Sequence, residues 1–223
     1  MDNTTPRSIE IPAWSWRSPL RPAFGLIRRN LGTYIVVNLV GYALFVSSAV
    51  LAGLGMGLNE WAVGSSSGTT SSGLITWVAQ IYIDGNIPMA ALLTVVSNLV
   101  IAAFLLTTVP SLLVPFSGAL YVGYQALLWG ALYSPAIDQP EGNWLHVIVL
   151  VVELQAYLIV VVIAIVQGRM FLQPKRFGIN GRLNGYKAGL IETFKSYPLV
   201  VAILVPAGIF EAFEVIGSIP PSQ

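Results

Sequence analysis

The chain has 223 residues, of which 55% are apolar and only 9% are charged, with a formal net charge of +1 and no cysteine. An average soluble domain carries roughly 25% charged residues, so this composition indicates a membrane protein. The near-neutral charge argues against a nucleic-acid partner, and the absence of cysteine excludes disulfides and thiolate chemistry.

Five apolar stretches are long enough to cross the hydrocarbon layer, which requires about 20 helical residues. We therefore predict an all-α fold, a polytopic bundle of about five transmembrane helices. A cytoplasmic or interfacial N-terminal segment, residues 1–32, precedes a single transmembrane domain over residues 33–223. The predicted spans are residues 33–58, 88–109, 112–133, 144–166 and 198–219. Only Pro110 and Ser111 separate the second and third spans, which predicts a tight turn there.

Three segments between the spans have other compositions. Residues 64–73 are rich in glycine, serine and threonine, which predicts a flexible linker. Residues 74–83 are apolar but too short to cross, so we expect them to lie at the outer membrane surface. Residues 167–197 are basic and contain scattered glycines, which predicts a cytoplasmic loop.

The basic residues predict the orientation of the bundle. Of the eleven lysines and arginines, some precede the first predicted span and the rest lie between the fourth and fifth. With five spans both groups fall on one side, as the positive-inside rule requires, so the N-terminus is cytoplasmic and the C-terminus is outside the cytoplasmic membrane. The residues expected to contact anionic lipid headgroups are Arg28, Arg29, Arg169, Lys175 and Arg176.

Ionisable side chains within a bilayer are costly, and the fourth and fifth predicted helices contain four of them. His146 and Glu153 share one face of the fourth helix, and Glu211 and Glu214 share one face of the fifth. A rise of about 1.5 Å per residue places Glu153, Glu211 and Gln125 about 12 Å below the outer surface. The sequence therefore predicts a cluster of five polar groups from three helices, with Glu153 close to Glu211.

This polar cluster has two interpretations. The functional one is a proton relay, a cation site or a docking pocket for a polar partner. The structural one is an interhelical hydrogen-bonded network, because polar side chains hold helices together in lipid. A single histidine without a second ligand motif is weak evidence for zinc or a tetrapyrrole, so we expect no metal and no cofactor.

Small residues recur at four-residue spacing in two of the predicted spans. The pairs are Gly53 with Gly57, Ala119 with Gly123, and Ala126 with Gly130. Small side chains let two helix backbones approach closely, so these pairs predict helix packing within the bundle. A homodimer interface is the alternative that the spacing leaves open.

Residues 98–130, NLVIAAFLLTTVPSLLVPFSGALYVGYQALLWG, resemble the central helix pair of the stage II sporulation protein M-like family. In that family an asparagine-containing helix precedes a glycine-rich one, then a Pro/His/Gly signature with a later glutamate, and finally a glutamate-alanine pair before a proline. The corresponding residues here are Pro140, Gly142, His146, Glu153, Glu211, Ala212 and Pro220. The histidine and glycine stand in the reverse of the family's usual order, and the first glutamate comes later.

The resemblance covers roughly residues 90–220 and implies a small polytopic helical protein without known catalysis. The family's sporulation member anchors and coordinates cell-wall hydrolases during engulfment. Relatives also occur in organisms that do not sporulate, so the resemblance does not transfer that role.

Three functional classes remain for such a chain. We expect a non-enzymatic membrane scaffold or accessory subunit of a larger complex, with membrane lipids and other integral membrane subunits as partners. The second class is a transporter or ion-conducting component that uses the outer-leaflet carboxylates. An intramembrane enzyme is disfavoured because the sequence shows neither a paired nucleophile and base nor a zinc motif.

Overall fold

A computed structural model describes residues 18–67, 72–134 and 143–219, and within these ranges all regular structure is helical. The α-helices are α1 (Arg21–Arg29), α2 (Leu31–Gly53), α3 (Leu58–Ser67), α4 (Ser72–Ile83), α5 (Ile87–Val96), α6 (Val109–Leu113), α7 (Ser117–Leu132), α8 (Asn143–Leu172) and α9 (Arg182–Ser218). A π-helical segment, Ser97–Thr108, joins α5 to α6 without a break, and a 3₁₀ turn, Pro174–Phe177, follows α8.

Four helices are long and apolar enough to cross a membrane, namely Leu31–Gly53, Ile87–Leu113, Leu145–Leu172 and Arg182–Ser218. They confirm the all-helical membrane class that the composition predicts. The predicted third span corresponds to α7, which has only 16 residues. At about 1.5 Å per residue α7 is about 24 Å long, less than the hydrocarbon thickness of about 30 Å. A fifth crossing therefore stays a prediction.

The first span is shorter than predicted because α2 ends at Gly53 in a glycine cap. Gly55 adopts a left-handed conformation with a φ of 72°, and its N–H donates to the Ala52 carbonyl at 3.0 Å. A left-handed glycine just beyond the last helical residue is a common way to end a helix. Gly57 therefore lies in the turn after α2, so Gly53 and Gly57 do not form the predicted packing pair on one helix.

The second span is longer than predicted because the helix passes through Pro110 instead of turning at Pro110 and Ser111. Proline lacks a backbone N–H, and transmembrane helices accommodate this loss through local adjustments such as the π-helical segment that directly precedes α6. The hydroxyls of Thr107 and Thr108 donate to carbonyl oxygens five residues back, at 2.8 and 2.9 Å. These bonds follow the wide turns of the π-helical segment.

The turn that separates this helix from α7 lies at residues 114–116. Phe116 adopts a left-handed conformation with a φ of 73° and directly precedes the first residue of α7. The Ser111 hydroxyl accepts a hydrogen bond from the Gly118 N–H at 2.9 Å, which ties the two arms of the hairpin together. The predicted tight connection is present, displaced toward the C-terminus.

The predicted basic loop, residues 167–197, is instead mostly helical, because α8 extends into it and α9 begins within it. A Cβ on Gly185 of α9 would lie 2.0 Å from the carbonyl oxygen of Met170 in α8. Glycine therefore permits a close approach of the two helix backbones at this point. The glycines that suggested a loop also suit a tight helix–helix contact, and composition does not distinguish the two.

The predicted linker, residues 64–73, is partly helical, since α3 ends at Ser67 and α4 begins at Ser72. α4 has 12 residues, too few to cross a membrane. Its Tyr82 hydroxyl lies 2.7 Å from the Thr94 hydroxyl of α5, and α4 also packs near the C-terminal end of α9. α4 therefore lies at the end of the bundle where α5 and α8 begin and α9 ends.

α8 is the central helix of the bundle. In its most apolar stretch 72% of the residues are buried, against 22% in α2 and 17% in Ile87–Leu113. α8 packs mainly along α9 and also contacts α2, α7 and the π-helical segment. The helices at the surface expose many apolar side chains, as contact with lipid requires.

Candidate functional site

The inner part of the predicted polar cluster lies between α8, α9 and the π-helical segment. Glu153 of α8 is only 3% exposed, and its carboxylate accepts a hydrogen bond from the Asn98 side-chain amide. Glu211 of α9 lies within electrostatic range of Glu153. Three separate helical segments thus bring polar groups to one buried point.

The outer part of the cluster joins the beginning of α8 to the end of α9. His146 Nδ1 lies 3.0 Å from Glu214 Oε2, and the two side chains are 12% and 14% exposed. The Tyr133 ring, at the end of α7, packs on the imidazole with ring centroids 4.7 Å apart. His146 and Glu214 also lie within electrostatic range of Glu211, so the inner and outer parts form one cluster.

Gln125 lies in a neighbouring layer of the bundle. Its side chain hydrogen-bonds with Tyr121 of α7, and it lines a small cavity together with Tyr157 of α8. Tyr157 follows Glu153 by one helical turn, and among the described residues its buried hydroxyl has no hydrogen-bond partner. Tyr157 therefore lies between Gln125 and the carboxylates.

An apolar belt separates the cluster from the opposite end of the bundle. On α8, residues 158–166 are all apolar and almost all buried, a length of about 14 Å. On α9, residues 198–210 contain no polar side chain, a length of about 20 Å. Along these two helices the cluster is not continued by polar groups toward the other end.

The predicted lipid-headgroup residues lie beyond this belt. Arg29 Nη2 is 2.9 Å from Glu192 Oε2, and Glu192 is only 5% exposed. Arg169 Nη1 donates to Thr33 Oγ1 at 2.7 Å, close to the beginning of α2. The remaining predicted headgroup residues are exposed, namely Arg28, Lys175 and Arg176. Arg29 and Arg169 therefore also bind the protein itself.

The small residues of α7 lie at different depths. Gly130 and Ala126 are buried, and a Cβ on Gly130 would lie 2.2 Å from the Phe45 carbonyl oxygen of α2. Ala119 packs partly buried against the core, and Gly123 has only an ordinary contact with a neighbouring leucine. Among these small residues, Gly130 makes the closest approach to α2.

The sequence analysis did not assign Asn98 or Glu192 to any site. Asn98 carries the only side-chain amide in the predicted second span, and that isolated polarity was the available signal. Glu192 fell within a predicted loop, where an acidic residue is unremarkable. Its burial depends on a partner 163 residues away in the chain, which no local pattern reveals.

Within the described ranges no group of three or more histidine, aspartate or glutamate side chains is arranged to hold a metal ion. The fold and site define an all-helical integral membrane protein with a carboxylate–histidine cluster near one end of its bundle. No family model, curated protein or solved structure matches the chain. The family resemblance of residues 98–130 stays a prediction, and its motif residues Pro140, Gly142 and Pro220 lie outside the described residues.

Proposed function

We propose that this protein is a non-enzymatic scaffold or accessory subunit of a larger membrane complex. The observation that carries the proposal is the apolar belt of α8 and α9, along which the polar cluster is not continued. A conducting protein requires polar groups or water along its whole path, whereas a scaffold requires only that its helices hold together.

The contacts within the cluster support a structural role, in which the polar side chains hold the helices together. The Asn98–Glu153 bond joins the π-helical segment to α8, and the His146–Glu214 pair joins α8 to α9. Hydrogen bonds between helices stabilise membrane bundles because the alternative is a polar group in hydrocarbon. Each pair therefore links elements that are distant in the chain.

The bundle surface supports lipid and integral membrane subunits as partners. Only 22% of the apolar stretch of α2 and 17% of that of Ile87–Leu113 are buried inside the protein, so these helices offer broad apolar faces to either partner. The proposed location is the cytoplasmic membrane. In the proposed orientation the N-terminus lies in the cytoplasm. The contact between α1 and α9 supports this orientation, because it brings two basic segments to one end.

The double variant Glu153→Gln with Glu211→Gln tests the structural role. Glutamine keeps the shape and the hydrogen bonding of a neutral carboxyl group but cannot carry its charge or its proton. We expect the variant to keep the wild-type assembly size on native gels of mildly solubilised membranes. The matched control is Glu60→Gln, at an acidic residue of α3 outside the cluster. Loss of the assembly only in the double variant would contradict a purely structural cluster.

A second candidate function, a proton- or cation-conducting component, is favoured by one observation. Four ionisable side chains concentrate at one end of the bundle, namely His146, Glu153, Glu211 and Glu214. Purified protein in vesicles with an internal pH-sensitive dye distinguishes the two functions. We expect an imposed pH gradient to decay as slowly as in protein-free vesicles. Faster decay that the double glutamine variant abolishes would establish conduction and refute the scaffold proposal.

A further inference from the structure

At the basic end of the bundle, away from the polar cluster, a cavity of about 480 Å³ opens between α1, α8, the 3₁₀ turn and α9. Cavities of about 300–1,000 Å³ commonly hold small organic ligands. Most of its wall is apolar, formed by Leu26, Val166, Met170, Phe177, Ile179 and Ala188. Leu26 and Val166 are almost fully buried, so the wall belongs to the folded core.

The polar part of the same cavity carries opposite charges. Arg29, Asn30 and Glu192 line it, and Arg29 Nη2 lies 2.9 Å from Glu192 Oε2. The Glu192 side chain is 7% exposed and that of Arg29 is 46% exposed. A guanidinium has five N–H donors, so this one hydrogen bond leaves others able to reach a ligand. A carboxylate and a guanidinium group therefore lie side by side at the wall of an apolar cavity.

The surroundings of the cavity limit what can fill it. The 3₁₀ turn and the beginning of α9 expose Lys175, Arg176 and Arg182 nearby. Within the described ranges the other acidic residues lie on α3, after α4 or in the polar cluster. Among these residues, Glu192 therefore supplies the negative charge at the basic end of the bundle. A ligand that matches both signs carries a cationic and an anionic group on an apolar tail.

We propose that this cavity binds a phospholipid whose headgroup carries a primary ammonium. One acyl chain occupies the apolar part, the phosphate accepts hydrogen bonds from Arg29, and the ammonium donates to Glu192. A choline headgroup fits less well because its nitrogen has no N–H to donate. A headgroup with only negative charge brings a second anion beside the Glu192 carboxylate. This inference does not depend on the scaffold function.

Lipid retention measured by native mass spectrometry tests the site. Purified protein is mixed with phosphatidylethanolamine, phosphatidylcholine or phosphatidylglycerol that carry identical acyl chains. We expect about tenfold greater retention of phosphatidylethanolamine than of phosphatidylcholine, because charge-assisted hydrogen bonds contribute that much or more. Retention of phosphatidylglycerol equal to or above that of phosphatidylethanolamine would overturn the proposal and indicate a general attraction to basic residues.

Variants locate the bound lipid. Glu192→Gln should reduce the preference for phosphatidylethanolamine over phosphatidylcholine to about onefold, because the amide carries no charge for the ammonium. Ala188→Phe places a ring in the cavity and should remove retention of all three lipids. Leu183→Phe, at an exposed position of the same helix, is the matched control and should retain lipid like the wild type. Unchanged retention by a folded Ala188→Phe variant would overturn the site.

A photoreactive probe gives a result even if Ala188→Phe does not fold. Phosphatidylethanolamine with a diazirine on its acyl chain is irradiated with the wild-type protein, and the labelled peptides are sequenced. We expect labelling of peptides that contain Met170, Phe177 or Ile179, which excess unlabelled phosphatidylethanolamine should prevent. Labelling confined to the outer faces of α2 and Ile87–Leu113 would show ordinary contact with bulk lipid and overturn the proposal.

Discussion

Replacing Gly185 by alanine tests the α8–α9 contact most directly. The added Cβ would lie 2.0 Å from the carbonyl oxygen of Met170 and 2.9 Å from its carbonyl carbon. Optimal non-bonded contacts lie at about 3.5–4.0 Å, so the two helices must separate by about 1.5 Å or distort. A flexible side chain could rotate away, but here the obstacle is the backbone of the central helix.

The expected cost follows from two opposing effects. Overpacking a tight contact costs about 1–3 kcal/mol, and a clash with backbone belongs at the upper end of that range. Alanine recovers up to about 1 kcal/mol through its higher helix propensity. The net loss of unfolding free energy is therefore about 2 kcal/mol, which lowers Tm by about 4–8 °C for a chain of this length.

Thermal unfolding in one detergent, followed by circular dichroism, measures this difference. The matched control is Gly217→Ala, because it makes the same substitution on the same helix where a Cβ meets nothing within 4 Å. We expect the control to unfold at the wild-type temperature or slightly above it. If the Gly185→Ala and Gly217→Ala variants had the same unfolding temperature, the close α8–α9 approach at Gly185 would be refuted.

Two further predictions concern orientation and the buried ion pair. Cysteines at Ser66 and Trp77 should react with an impermeant reagent in intact cells and one at Ser18 should not, because the basic end lies inside; the reverse pattern would refute an N-terminus in the cytoplasm. In chemical unfolding, Arg29→Ala should cost about 1–2 kcal/mol more than Glu192→Ala, because it leaves a buried carboxylate without its cation, whereas the half-exposed guanidinium keeps its water. Equal losses would contradict this asymmetry.

The apolar spans were predictable because the cost of exposing backbone polar groups to hydrocarbon forces long apolar runs into helices. The membrane class and four long helices follow from that constraint alone. The position of each helix end depends on finer chemistry. Gly55 ends α2 by adopting a positive φ, and a π-helical segment precedes the short helix that contains Pro110. Neither outcome is visible in average hydropathy.

The polar cluster was predictable in part for a similar reason. Spacing along one helix places His146 and Glu153 on a common face, and this follows from helical geometry alone. The rotation of one helix against another does not follow, so Asn98 as the partner of Glu153 and Tyr157 as the neighbour of Gln125 required the packed structure. Long-range pairs such as Arg29 with Glu192 depend on the whole topology.

The α8–α9 pair connects the two ends of this molecule without a polar link between them. Its carboxylate–histidine cluster lies at one end and the Arg29–Glu192 cavity at the other, with a belt of buried valine, leucine and isoleucine between them. Residues 153–166 of α8 alone extend about 20 Å, and sites more than about 10 Å apart that share no partners act independently on stability. The packing of these two helices is the most direct connection between a bound lipid and the cluster. The Gly185 contact lies at the cavity end of this helix pair, where it sets how closely α9 approaches α8.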